Sequence, residues 1–276
     1  MKRLLLLLRR VRAFVVRDFR LALSYRLQFF FRVLEVLLFV TTFFFISKIF
    51  TGGAIKEFTQ WQNPLAAWIT GLAVMSYFMT GFSSLANSIR QEQAQGTLEG
   101  VLMTPVSVQT FVLASSAYDF VQVTITSSLY LFFGWLFFGV IFRGSYLLAL
   151  LFLVLTTLVL ASIGILSASF AMVFKRGDPF GLLLGVTSTL FSGVLFPTQL
   201  IRQYAGPYIG SIPRALPPTY GLDGIRRVLI EGQTFSQVRA PLLVLLCFLV
   251  VLMPFSLWVF ARAVRRAKRE GSLIQY

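Results

Sequence analysis

The sequence contains no histidine, a single cysteine (Cys247), and charged side chains at only 13% of its 276 positions. One cysteine rules out a disulfide within the chain, and the missing histidines remove His-ligated metals and His-based acid–base pairs. The pattern GxxxxGK[ST] is absent, so the chain cannot cradle ATP in the P-loop manner. The acidic residues number 10 and are scattered, whereas a membrane acyltransferase or glycosyltransferase needs carboxylates gathered at one membrane face. Of the ten, only Glu92 and Glu99 share a short loop. No catalytic residue, no metal site and no cofactor of the chain's own is expected.

What the sequence does have is apolar bulk: 57% of residues are hydrophobic, 16% aromatic, and 30 are Phe. A soluble domain is about half apolar and about a quarter charged, so much of this surface has no aqueous role. Five stretches lack any Asp, Glu, Lys or Arg: Phe58–Ile89, Phe120–Phe142, Gly144–Phe174, Pro179–Ile201 and Ala240–Ala261. Each reaches the roughly 20 residues that a helix needs to cross about 30 Å of hydrocarbon. The expected class is an all-α polytopic membrane protein. A net charge of +15 raises nucleic acid as a partner, but the basic residues cluster beside apolar spans, where lysine and arginine hold loops in the cytoplasm. Membrane lipid, and no nucleic acid, is the reading.

Residues 1–26 combine eight Lys or Arg with apolar positions Leu8, Val11, Val15, Phe19, Ala22 and Leu23 at helical spacing. An amphipathic interfacial helix on the cytoplasmic side is expected there, and MKRLLLLLRRVR does not read as a cleavable leader. Six transmembrane helices are placed within residues 27–261, at about 27–47, 64–86, 112–138, 146–173, 180–196 and 241–260. Two intramembrane charges need accounting for. Glu35 is expected to pair with Arg32, three residues away on one helix face, and Asp119 with Arg176 or Arg90. Residues 198–239 are too polar to span and too proline-rich for one helix, and a basic tail, residues 262–276, closes the chain.

Six crossings put both basic termini in the cytoplasm, along with the Arg90 loop and the KRGDP turn (Lys175–Pro179). The cost is that Arg202, Arg214, Arg226 and Arg227 fall outside, against the usual charge bias. A multi-pass protein of the cell (inner or plasma) membrane follows.

The polar loop between the second and third spans, RQEQAQGTLEGVLMTPVS, is built to be held rather than to react. Gly96 can end a helical turn, Thr97 can cap the next, Glu99 suits its positive end, and Pro105 stops it. The result is a short bent helix with Leu98, Val101 and Leu102 on one side, suited to a partner's groove. This loop resembles the coupling segment of ABC-2-type exporter permeases, in which a glutamate precedes G-T-L-E and T-P. A second match is SGVLFP (Ser192–Pro197) followed by IPRALPPTYGLDGIRRVLIEG (Ile212–Gly232), similar to that family's Gly-x-x-x-Pro end of the fifth span and its external L-P-x-T-Y…R segment.

The resemblance implies a permease subunit whose partners are a separate P-loop ATPase, which binds ATP and Mg, and a second permease chain, most simply an identical one. It implies ATPase coupling through segment 88–107 by Glu92, Gly96, Thr97, Leu98, Glu99, Leu102 and Pro105. It also implies an external re-entrant helical gate in 198–239 with the end of span five, formed by Gly193, Pro197, Pro217, Tyr220 and Arg226. The Phe-rich composition suits an amphiphilic, lipid-like or drug-like cargo. The competing readings are a secondary transporter, which would show inverted repeats around ionisable groups, a membrane-bound lipid-modifying enzyme, and a structural scaffold.

Overall fold

The computed structural model describes residues 26–51, 63–94, 108–174 and 179–269, and among these every regular element is helical. The long helices are α1 (Arg26–Thr51), α2 (Pro64–Ala94), α3 (Val108–Phe138) and α4 (Tyr146–Phe174). A shorter α5 (Pro179–Phe191) leads into four brief helices: α6 (Thr198–Tyr204), α7 (Gly206–Ile209), α8 (Ile212–Ala215) and α9 (Pro217–Leu229). The last is α10 (Arg239–Arg269). Prolines open α2, α5 and α9, where the missing N–H would have had no partner. The prolines between residues 206 and 218 divide that stretch into short turns, as their ring geometry requires.

Among the described residues, five helices are long and apolar enough to cross a membrane: Phe29–Ile49, Pro64–Ser88, Ala117–Phe138, Tyr146–Phe170 and Arg239–Arg266. The chain is therefore a multi-pass membrane protein. The expected fifth span at 180–196 forms a 13-residue helix. At 1.5 Å per residue that covers about 20 Å, less than the hydrocarbon core. Its last expected residues leave the helix because Gly193 turns the chain at φ +86°, a conformation that costs glycine little. The basic end of α10 remains helical to Arg269 rather than forming a separate tail.

α2 is the central helix. On one side Val36 and Val40 of α1, Leu65, Ile69 and Leu72 of α2, and Tyr130 and Phe133 of α3 form one apolar core. On the other, Phe78 and Phe82 of α2 pack with Phe152 and Leu160 of α4, Leu222, Ile225 and Val228 of α9, and Leu245 of α10. The outward faces of α1 and α10 are apolar and exposed, with Phe30, Phe31, Leu243 and Val250 among them, which suits lipid in place of water.

Close approach depends on glycine. A Cβ on Gly164 would lie 2.2 Å from the Gly81 carbonyl oxygen, and one on Gly144 only 1.6 Å from that of Val228. With no water in the bilayer, hydroxyls bond to the backbone or to one another. Ser127 Oγ donates to the Ala73 carbonyl at 2.7 Å, tying α3 to α2, and the Tyr77 hydroxyl reaches Thr124 Oγ1 at 2.8 Å.

The expected Arg32–Glu35 pair is not formed. The Arg32 guanidinium donates across to α3, to the side-chain oxygen of Gln122 once that amide is turned to face the cation. Glu35 sits on the exposed face of α1. A guanidinium directed at the neighbouring helix finds a fixed acceptor there, whereas the Glu35 carboxylate lies within electrostatic reach of Tyr130 on α3. Asp119 is half-buried on α3. Its expected partners, Arg176 and Arg90, have side chains outside the described residues, as does the N-terminal segment 1–25.

Candidate functional site

The turn between α5 and α6 ends with three consecutive carbonyls that need donors, and two side chains supply them. Arg226, on α9, donates from Nη1 to Gly193 O at 2.5 Å and from Nη2 to Val194 O at 3.2 Å. Its Nε and Nη2 also reach Ala67 O of α2, at 3.2 and 2.7 Å. Trp68 Nε1 takes the third carbonyl, Leu195 O, at 2.7 Å. One planar guanidinium therefore ties α9, α2 and the α5–α6 turn together, a task that suits the fixed fork of arginine and not the single ammonium of lysine.

Gly71 makes room for this clamp: a Cβ there would lie 2.8 Å from both Arg226 Nη2 and Val194 O. The side of α9 that carries no charge lies on α4, where Gly221 and Gly224 would meet Thr156 and Phe152 if they bore side chains. α9 is not one of the membrane-spanning helices. Burial of the Arg226 guanidinium pulls its pKa down to about 9, and the nearby Asp223 carboxylate opposes the drop. It is thus a cation at neutral pH, with the carbonyls of Ala67, Gly193 and Val194 accepting from it.

Beside the clamp lies a cavity of about 570 Å3 whose walls include Gly193, Pro197, Tyr220 and Arg226. Pro217, the remaining expected gate residue, is buried at the first turn of α9, the helix that carries Tyr220 and Arg226. The Tyr220 hydroxyl donates to Arg214 O at 2.8 Å, and its ring packs on Phe248 of α10 at 6.3 Å. The five residues are thus brought to one place, at the end of the bundle where α2 begins. Sequence reasoning missed Ala67 and Trp68, which secure the turn from α2. A carbonyl acceptor leaves no side-chain signature, and Trp68 reads as an ordinary interfacial tryptophan.

The model of the ABC-2 type transporter family matches residues 9–230, a stretch that holds both the Arg90 loop and this junction. The chain belongs to the ABC-2 type transporter family. No curated protein matches it. As an ABC-2 permease it is the membrane component of an ABC-type transporter, not itself catalytic, and such permeases usually work with a separate ATPase subunit.

The other expected site of this ABC-2 permease is only partly in view. Glu92 falls within the last turn of α2, which continues unbroken to Ala94, so its backbone belongs to the long helix and not to a separate bent one. Gly96, Thr97, Leu98, Glu99, Leu102 and Pro105 lie outside the described residues, as does the Glu92 side chain. Helices α2 and α3 each have 31 residues, about 46 Å, which exceeds the hydrocarbon thickness by about 16 Å. At α2 about half of the surplus is the polar end, Arg90–Ala94, which spans about 8 Å.

Proposed function

We propose that the chain is the permease of an ATP-driven exporter, working with a second permease chain (most simply a copy of itself) and two separate ATPase subunits that bind ATP and Mg. In this reading six crossings place both termini in the cytoplasm of a cell-membrane protein. α5 with its following turn forms the sixth, shallow crossing, and residues 198–239 form an outward re-entrant gate. The segment 88–107 receives the motion of the ATPase through Glu92, Glu99 and the Gly96–Thr97 bend. α2 carries that push along its length to Ala67, and so to the Arg226 clamp at the opposite end. The single observation that carries the proposal is the family match across residues 9–230. The overhanging ends of α2 and α3 support it, because both helices are longer than the hydrocarbon core is thick and are joined through residues 95–107.

The cargo proposed is amphiphilic, since both cores and outer faces are Phe-rich. The family match weighs against a secondary transporter, and scattered carboxylates weigh against a lipid-modifying enzyme. The test is to co-express the chain with P-loop ATPases from neighbouring reading frames. One of them is expected to co-purify in stoichiometric amount and to hydrolyse ATP faster in the complex than alone. If none binds, the reading fails.

A further inference from the structure

We infer that the cavity beside the Arg226 clamp is a binding site for a phosphate group, held by Arg202 and Arg214. The inference deepens the export reading and rests on it for which side of the membrane the cavity faces. The chemistry of the cavity stands on its own residues.

Four arginines (Arg202, Arg214, Arg226, Arg227) and two acids (Asp223, Glu231) line the cavity, so its formal charge is 4 − 2 = +2. These are the four arginines that offend the expected charge bias of the outer face, and the fold collects all of them at one cavity. Two are already committed. Arg226 is spent on carbonyls, and Arg227 pairs with Asp223 at 2.9 Å. Glu231 accepts from Gln233 Nε2 at 2.8 Å. Arg202 and Arg214 are both exposed, and among the described residues neither guanidinium makes an ion pair or hydrogen bond.

A second, independent observation concerns hydroxyls. Ser192, only 2% exposed, and Thr219 both line the cavity, and neither side-chain oxygen has a hydrogen-bond partner. A buried hydroxyl without a partner is costly, and these two stand in the wall of one polar cavity, where a side-chain rotation would present each oxygen to a ligand. The donors available are then two guanidinium forks and two hydroxyls. A carboxylate's two oxygens would be satisfied by one arginine, whereas a phosphate offers enough acceptors for all four groups. The volume falls within the roughly 300–1,000 Å3 usual for small-molecule pockets. The phosphate could belong to a lipid headgroup or to a soluble phosphate ester, and the chemistry of recognition is common to both.

The full-length chain in dodecyl maltoside micelles, which carry no phosphate, is titrated with glycerol 3-phosphate by calorimetry. In parallel, retention of dioleoylphosphatidylglycerol against dioleoylglycerol, the same acyl chains without the phosphate, is measured by native mass spectrometry. Binding is expected in at least one arm: the lipid arm alone assigns a headgroup, and the soluble arm a free ester. The double variant Arg202→Gln, Arg214→Gln, which removes two guanidinium groups that make no ion pair or hydrogen bond among the described residues and keeps the aliphatic stems, should weaken binding at least tenfold, and Ser192→Ala severalfold. Arg265→Gln, on α10, should leave it unchanged. Equal affinity in the double variant and the wild type, or no phosphate preference in either arm, overturns the inference. An ATPase that still couples while phosphate binding is absent removes this inference alone. Phosphate binding without any ATPase partner removes the exporter reading and leaves the site.

Discussion

Arg226 concentrates more of the junction's hydrogen bonding than any neighbouring side chain, because one guanidinium serves Ala67, Gly193 and Val194 together. Removing it leaves the Gly193 and Val194 carbonyls without their side-chain donor in a buried site, at about 1–3 kcal/mol for each group left unsatisfied. Arg226→Met is therefore expected to lower the thermal midpoint in detergent by at least about 4 °C, at about 1 kcal/mol per carbonyl and about 2 °C per kcal/mol. Arg226→Lys should recover only part of that, since one ammonium cannot span the same acceptors. A lysine variant melting with the wild type would show that the fork geometry is unimportant. Arg32 and Glu35 give a contrasting pair. Arg32→Ala should destabilise the α1–α3 contact by losing the Gln122 acceptor, while Glu35→Gln should leave the melting midpoint within about 2 °C, as expected for an exposed change. Equal losses from both would restore the Arg32–Glu35 pairing read from the sequence. That pairing failed because spacing along one helix shows which side chains can meet, not which neighbour offers a better acceptor. Arg226, by contrast, was visible in the L-P-x-T-Y…R pattern, while its partners were not, being main-chain atoms.

At the level of the helices, hydropathy was sufficient to find α1 to α4 and α10, since only a continuous helix satisfies its backbone in lipid. It could not show that α2 lies between two cores, because uniformly apolar helices have little sidedness to read. Nor did it show that α5 stops at Phe191; that depends on the turn at Gly193, secured by contacts remote in sequence. The polar stretch 198–239 was legible as irregular from its prolines, and the structure divides its first part into four short helices that end with Pro217–Leu229. Glycines separate packing from backbone strain. A Cβ on Gly144 would stand 1.6 Å from a main-chain oxygen that cannot move aside, whereas Gly139, at φ +64°, has nothing within 4 Å. Gly144→Ala should abolish folded, monodisperse protein in size-exclusion chromatography. Gly139→Ala should cost only the 1–2 kcal/mol or so of a left-handed residue and remain well folded. If both behave alike, the close approach of the α3–α4 connection to α9 is wrong.

For the whole molecule, the arrangement joins two ends. One is the polar overhang of α2 and α3 that leads into segment 95–107. The other is the Arg226 junction, where α2 meets the α5–α6 turn and α9. A rigid α2, buried along most of its length, is the physical link between them, which suits a permease moved from one side and opening on the other. The family match makes the chain the membrane component of an ABC-type transporter, and the Gly-Thr-Leu-Glu loop is where the proposed ATPase would act. The direction of transport and the cargo have no equivalent signature, because lipid-facing and path-facing phenylalanines look alike in a sequence. The most direct measurement is ATP hydrolysis by the complex with its ATPase, reconstituted in liposomes, for the wild type and for Gly96→Pro and Glu99→Lys. The account predicts folded variants that lose at least tenfold of the permease-dependent stimulation. Stimulation equal to wild type in both, with the complex intact, would contradict it.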